Sequence, residues 1–375
     1  MTLPPGLGAL ADVLPGVLAA LGVPGAEEPV LPLPAARRAC VLLVDGLGDL
    51  LLRAAVEPDP ARYPALAALV ARGGALEAGF PSTTATSIAS LGTGLLPGAH
   101  GLLGLRVRPP GGGPLLSLLR WRDEADPLAW QPHSTAFERA RAAGVTPYAV
   151  VPGAFAGSGL TRAALRGAEL VPAATAGERA AAALAALEAG DRTLVYAYDG
   201  DLDATGHRAG CGSEAWALQL AHVDLLVRQL VEGLPPGALL LVTADHGMLD
   251  LDREASVDLD GDGAVLREGV AELGGEARAR YAYAVPGAAA DVLATWREVL
   301  GERADVRSRE EAVEEGWFGP VRPELLPVVG DVVAAARGRA GLLASAAEPY
   351  ESALVGVHGS RSAEERRVPL LVTTA

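Results

Sequence analysis

Residues 238–247 read Ala-Leu-Leu-Leu-Val-Thr-Ala-Asp-His-Gly, an apolar run of strand length that ends directly in an acid and an imidazole, Asp245 and His246. Three further runs end in a similar way. Val41-Leu-Leu-Val44 gives way to Asp45-Gly46, and Leu354–Val357 to His358-Gly359. Thr193–Tyr198 leads into Asp199-Gly-Asp201-Leu-Asp203-Ala-Thr-Gly206-His207. Continuous apolar runs without alternation suit strands covered on both faces, as in a parallel sheet. Cys40–Val44, Tyr148–Val151 and Pro369–Thr373 share this character. Helical patterns rich in Ala, Leu and Arg lie between the runs, at Ala65–Ala71, Thr135–Ala143, Gly177–Glu188 and Ser213–Glu232. This alternation predicts an α/β fold, doubly wound, with a mostly parallel central sheet and helices on both faces.

Open α/β sheets bind ligands beyond the carboxyl ends of their strands. Four strands then bring Asp45, Asp203 with His207, Asp245 with His246, and His358 to one edge. Three carboxylates and three imidazoles suffice for two metal sites of three protein ligands each, with positions left open. Taken singly the residues are ordinary. Asp before Gly is a common turn, and Asp203 and His207, four apart, could form an ion pair on a helical turn. Their arrival at one edge favours metals. Of the other histidines, His222 falls in a helical apolar pattern and is expected in or near the core. His133 sits in a loop and His100 orders a turn, so none of the three joins the site.

Phe80-Pro-Ser-Thr-Thr84-Ala-Thr-Ser-Ile-Ala-Ser90 is a hydroxyl-rich turn that opens a helical stretch closing at Gly92–Gly94. An N-cap accounts for one hydroxyl. A helix N-terminus also favours an anion, and a Thr oxygen beside a metal can serve as a nucleophile. No Gly-x-Ser-x-Gly elbow occurs. Gly46-Leu-Gly48 is not a dinucleotide fingerprint, because Leu51 stands where the third glycine belongs.

The ordered set Val44-Asp45-Gly46, Phe80-Pro-Ser-Thr-Thr84, Thr93-Gly94-Leu95, Asp203-Ala-Thr-Gly-His207-Arg-Ala-Gly210, Thr243-Ala-Asp245-His246-Gly247-Met248 and His358-Gly359 spans nearly the whole chain. It resembles the alkaline phosphatase superfamily, and within it the nucleotide pyrophosphatase/phosphodiesterase family. The resemblance implies an alkaline-phosphatase-like fold and a two-metal phosphodiesterase or nucleotide pyrophosphatase. Asp45, Asp245 and His246 would hold one zinc, with Thr84 on it as nucleophile, and Asp203, His207 and His358 would hold the other. Thr84 would form a phosphothreonine that water then hydrolyses. The Cys-x-Pro-x-Arg context of sulfatases is absent, and the Thr disfavours the serine-based mutases. There is one departure: the position that carries an Asn in the diesterases is Leu105 here, and the chain contains no asparagine at all. Arg106 or Arg108 could help hold the phosphate. With the metals kept, the alternatives are a phosphomonoesterase or a phosphonate hydrolase, for which Arg106, Arg108, Arg120 and Arg208 are candidate clamps. A non-catalytic metal-binding module would not need a hydroxyl at position 84.

Composition fits this picture. The 375 residues are 50% hydrophobic and 21% charged, the proportions of a folded globular protein. Net charge is −15, and every basic residue other than histidine is arginine. That excludes a broad electrostatic nucleic-acid binder and a polybasic membrane anchor. No run reaches the ~20 apolar residues of a spanning helix without interruption. The N-terminal stretch carries no positive charge before Arg37, and prolines break its apolar run, so a cytoplasmic protein is expected. Cys40 and Cys211 are too few for a disulfide framework. The expected partner is a small-molecule phosphate ester or nucleotide, with oligomeric state left open. Three parts are expected: an N-terminal extension, 1–36, packed on the core; a catalytic core, 37–255 with 348–375; and an inserted subdomain, 256–347. Asp258-Leu-Asp260-Gly-Asp262-Gly263 lacks the bidentate Glu of a calcium loop, Gly269 standing in its place, and reads as a solvated loop.

Overall fold

The computed structural model describes residues 8–26 and 29–375, so parts of the expected N-terminal extension, 1–7 and 27–28, lie outside the described residues. Its centre is a seven-stranded sheet in the order Gly74–Glu77, Arg367–Thr374, Ala238–Thr243, Arg38–Val44, Thr193–Asp199, Thr146–Val151, Glu169–Pro172. The last five are parallel. Arg38–Val44 is flanked by two strands that also lead into candidate site residues, and its own residues from Ala39 on are fully buried. This is the burial that continuous apolar runs require. Helices Ala176–Glu188, Glu214–Gly233 and Pro64–Val70 pack together, while Thr84–Thr93 groups with Val13–Ala20 and Ala136–Ala142.

Two strand expectations need correction. Pro369–Thr373 is extended, but as part of Arg367–Thr374, which runs antiparallel to both its neighbours. Leu354–Val357 does not enter the central sheet. Only Gly356–Val357 is extended, in a short antiparallel ribbon with Leu249–Asp250. Val355 is exposed and Leu354 half-buried, so the run lacks the cover that a central strand needs. The ribbon nevertheless delivers His358 to the site, because its partner strand comes closely after His246.

A second, four-stranded antiparallel sheet has the order Val270–Glu276, Ala279–Ala284, Val332–Ala336, Ala304–Ser308. Helix Ala289–Leu300 covers one side, where Val292, Trp296 and Leu300 meet Val306, Val332 and Ala334. From the other side Tyr281, Tyr283, Val333 and Ala335 join the main core. Arg278 and Glu365, both fully buried, pair through two hydrogen bonds of 2.9 and 2.7 Å and tie this sheet to the segment after His358.

The acidic loop at 258–263 is stapled by its own neighbours. Asp258 accepts the Ser345 amide, and Asp260 accepts Arg267 and the amides of Ala346 and Ala347. Residues 109–114 form the tip of the hairpin Arg106–Val107 with Leu116–Ser117. His222 is exposed rather than in the core. The buried stripe of its helix runs through Trp216, Leu220, Val223, Val227 and Leu230, and His222 falls beside it. Among the described residues no helix is long and apolar enough to cross a membrane.

Candidate active site

Register brings the acids together. Leu43 pairs with Thr243 and Val44 with Asp199, and Asp45 and Asp245 each stand two positions beyond the paired residues Leu43 and Thr243. The Asp45 amide donates to Asp199 O at 2.8 Å, and the Gly46 amide donates to Asp245 Oδ1 at 3.2 Å. Gly46 sits at φ 74°, and a Cβ there would lie 2.9 Å from the Met248 sulfur and 3.1 Å from Asp203. Glycine is needed for the turn and for this close approach. Asp203 and His207 lie on helix Asp201–Ala209, one turn apart, with His207 Nε2 3.2 Å from Asp203 Oδ2. Thr84 opens helix Thr84–Thr93, which ends at Gly94 in the left-handed conformation.

All seven expected residues meet at one edge of the sheet, in two groups. Asp45, Asp245 and His246 form one, Asp203, His207 and His358 the other, and within each group one ligand atom per residue lies within 4.8 Å of the rest. Thr84 Oγ1 stands 3.2 Å from His246 Nε2. The His246 and His358 rings stack between the groups.

The donor set fits divalent cations on two observations. Asp45 Oδ1, Asp245 Oδ2 and Asp203 Oδ1 are buried and have no hydrogen-bond partner among the described residues, an arrangement that is costly unless a ligand satisfies it. The second observation concerns the imidazoles. Nδ1 of His207 donates to Gly356 O, that of His246 to Gly247 O, and that of His358 to Ser82 O, at 2.7, 3.1 and 2.9 Å. Each Nδ1 must therefore carry a proton, which leaves each Nε2 on the side of the carboxylates, that of His246 also within reach of the Thr84 hydroxyl. A backbone acceptor on the far nitrogen is how metal-binding histidines are oriented. A lone pair facing a carboxylate is repulsive unless a cation lies between them.

The electrostatics agree. Burial, and after it the charges of Asp245 and Asp203, holds Asp45 well above the usual carboxylate range. Burial raises Asp245 as well. Burial and the neighbouring His246 hold His358 well below its ordinary value. For His207 burial opposes the charged ring, but the Asp203 carboxylate beside it favours that charge more and the net shift is upward, so a proton and a cation compete for this pair.

Sequence reasoning missed two participants. Tyr198 donates its hydroxyl to Asp45 Oδ2. Its signal was present, since Tyr196 and Tyr198 alternate on a strand that feeds the acidic edge. Glu276, at the end of Val270–Glu276, lies 4.0 Å from His358 Nδ1, and burial pushes it up to about 8. Nothing local marks it, because it comes from the second sheet. Of the arginines, Arg106 and Arg120 line the cleft at the site, Arg106 already paired with Glu348. Arg108 is held by Glu272 and stacks on Tyr283, and Arg208 is exposed. Leu105 lines the cleft and offers no polar group. His100 is buried and orders its turn, accepting the Leu102 amide at Nδ1 and meeting Ser90 Oγ at Nε2.

Two cavities open on Thr84. One, of about 200 Å³, is walled by Ile88, Val151, Phe155, Leu160, Leu165 and Tyr198. The other, of about 430 Å³, sets Arg106, Arg120, Glu276 and Glu351 among apolar residues such as Leu105, Leu354 and Val357.

A model of the family described as type I phosphodiesterase / nucleotide pyrophosphatase matches residues 39–361. No curated protein matches the chain. Among solved structures, murine ectonucleotide pyrophosphatase / phosphodiesterase 5 is similar with a TM-score of 0.71 at 20% identity, over 89% of this chain and 87% of that one. An inactive threonine-to-alanine variant of that murine protein, in complex with AMP, gives 0.71 at 18% identity with the same coverage. Phosphonoacetate hydrolase from Sinorhizobium meliloti 1021, in complex with phosphonoformate, gives 0.70 at 20% identity over 90% of both chains. The likeness bears out the expected alkaline-phosphatase-like α/β fold.

Proposed function

The chain belongs to the type I phosphodiesterase / nucleotide pyrophosphatase family, whose members are metal-dependent phosphoric ester hydrolases, and on that premise we propose that it cleaves phosphodiester or phosphoanhydride bonds of small nucleotide-like molecules at Thr84, through a phosphothreonine intermediate. The observation that carries this reading is the place of Thr84 at the junction of two cavities. Thr84, Leu119 and Asp203 belong to the walls of both. A diester or anhydride has a substituent on each side of the phosphorus, whereas a monoester has one. Two cavities meeting at one hydroxyl, one apolar and one with charged groups in its wall, suit the former.

In this reading Asp45, Asp245, His246 and Thr84 would hold one zinc ion, and Asp203, His207 and His358 the other. Such a pair, when bound, supplies Lewis-acid polarisation of phosphoryl oxygens and offsets the three carboxylates. Thr84 Oγ1 forms a bond to phosphorus as the bond to the leaving oxygen breaks, and the proton that Thr84 gives up is balanced by one taken up by the leaving oxygen. Water then bonds to phosphorus, the bond to Thr84 Oγ1 breaks, and a proton given up by the water restores the Thr84 hydroxyl. The helix that starts at Thr84 offers amide donors to a non-bridging oxygen, where Leu105 supplies no side-chain donor. The inactivity of the murine threonine-to-alanine variant supports a hydroxyl nucleophile in this fold. Cytoplasmic location and the division at 256 and 347 stay part of the proposal.

One observation favours a second reading, a phosphomonoesterase or phosphonate hydrolase. Arg120 lines the larger cavity, and among the described residues its guanidinium has no carboxylate partner within 4 Å, so it is free for a more highly charged phosphoryl group. The deciding experiment compares hydrolysis of a nitrophenyl phosphodiester with that of its monoester, before and after chelation and zinc restoration. Chelator-sensitive preference for the diester is the expected result. Preference for the monoester would transfer the site to the second reading.

A further inference from the structure

The helix that carries Thr84 begins at an N-cap residue that does not cap. Thr83 has the extended backbone of that position, φ −135° and ψ 150°, yet its side chain accepts no amide from the first turn. Thr135, Thr175, Ser213 and Ser308, at the same position on other helices, each accept the amide of the third helical residue. The Thr83 hydroxyl donates instead to Glu276 Oε2, at 3.5 Å.

The consequence falls on the amides. Thr84, Ala85 and Thr86 are buried. Ser87 is the first residue of the helix whose amide reaches a backbone carbonyl, that of Thr83 at 3.0 Å, and among the described residues no acceptor meets the three amides before it. Buried amides without acceptors are rare, and at a helix start they make a site for an anion. Here the open end lies beside the paired acids and imidazoles, with Thr84 Oγ1 3.2 Å from His246 Nε2.

Glu276 is fixed in this role from its other side. A Cβ on Gly359, which sits at φ 128°, would lie 2.9 Å from the Glu276 carboxyl carbon. The side chain is only 11% exposed, and among the described residues Oε1 has no hydrogen-bond partner. Resting on the reading that Thr84 attacks phosphorus, we infer that Glu276 is a positioning residue that holds the Thr83 hydroxyl off the helix end and so keeps the Thr86 amide open for a non-bridging oxygen of the substrate. Without Glu276 the hydroxyl turns back, the helix caps itself, and the substrate loses a donor that Leu105 cannot replace.

The test is calorimetric binding of inorganic phosphate to the metal-loaded protein, in wild type, Glu276→Ala and the double variant Glu276→Ala/Thr83→Val. Valine keeps the shape of threonine without the hydroxyl, so it cannot cap. Glu276→Ala should weaken phosphate binding by about fivefold, the factor that a typical N-cap hydrogen bond would claim. Adding Thr83→Val should return affinity to within about twofold of wild type. A double variant as weak as Glu276→Ala overturns the inference, because Glu276 would then act without Thr83. Glu276→Ala binding phosphate as tightly as wild type, or more tightly, overturns it too. If Glu276→Ala does not fold, Glu276→Leu fills the same space and carries the same prediction. Wild-type protein that binds no phosphate and hydrolyses no ester brings down the Thr84 reading and this inference together, a pattern distinct from the other two.

Discussion

The imidazoles of His246 and His358 stack with centroids 3.6 Å apart and planes 17° from parallel. One ring belongs to each candidate cation group, so the two groups share a wall. Two imidazolium rings would repel at this distance, and both Nδ1 protons are already committed to backbone carbonyls. With Nδ1 engaged in both, each ring turns Nε2 toward its own group.

Removing metal should destabilise the protein. Asp45, Asp203 and Asp245 lie close together, and the Tyr198 hydroxyl, the Gly46 amide and the His207 ring leave one oxygen of each carboxylate for a cation to satisfy. Urea denaturation with and without chelator should show a lower midpoint after chelation. The loss is about 2.7 kcal/mol if metal had been present at a hundredfold excess over its dissociation constant. An unchanged midpoint would mean that the groups hold no cation.

Thr84→Ala should separate chemistry from metal binding. Turnover of a phosphodiester should fall by at least about a thousandfold, the scale of losing a covalent nucleophile, with bound metal unchanged by elemental analysis. Substantial residual turnover would remove Thr84 from the nucleophile position.

Tyr198→Phe tests the partner that burial and hydrogen bonding give Asp45. The hydroxyl fixes Asp45 Oδ2 and leaves Oδ1 free for a cation. Groups that orient metal ligands in this way contribute about ten- to a hundredfold in affinity. Competition against a chromogenic chelator should show a loss in that range, and no loss would make Tyr198 a packing residue only.

His100 should make stability depend on pH. Burial drives its pKa down to about 3, whereas in the unfolded chain it titrates near 6.5. Between those values the unfolded state binds a proton that the folded state does not. Stability contributed by neutral His100 is thus complete above about pH 6.5 and falls as pH drops, with a limiting slope of about 1.4 kcal/mol per pH unit. Urea denaturation at pH 7 and pH 5 should show this loss, and His100→Gln should flatten it.

The sheet and the candidate site were legible because parallel strands buried on both faces leave continuous apolar runs, and the residues just beyond each run land on one edge. Asp45, Asp203, His207, Asp245 and His246 could be placed by that rule alone. His358 reaches the same edge by a different route from the expected central strand; the short ribbon at Gly356–Val357 has too few residues to show a period. Tyr198 carried a usable signal in its spacing from Tyr196. Glu276 and the cavity residues Leu119 and Phe155 carried none, since their role comes from contacts between distant segments, and neither apolar character nor spacing encodes which sheet edge will face which. His222 was misplaced because a helical stripe has margins one residue wide.

The shared register of Arg38–Val44 with Thr193–Asp199 and Ala238–Thr243 makes assembly of the site an all-or-none event. A slip of one residue would move Asp45 by about 3.3 Å relative to Asp245 and turn it to the opposite face of the sheet. No graded displacement lies between the two arrangements. Damage to the packing of these three strands should therefore appear as a smaller fraction of fully competent molecules, each with unaltered affinity for its substrate, and not as a uniform population of weakened ones.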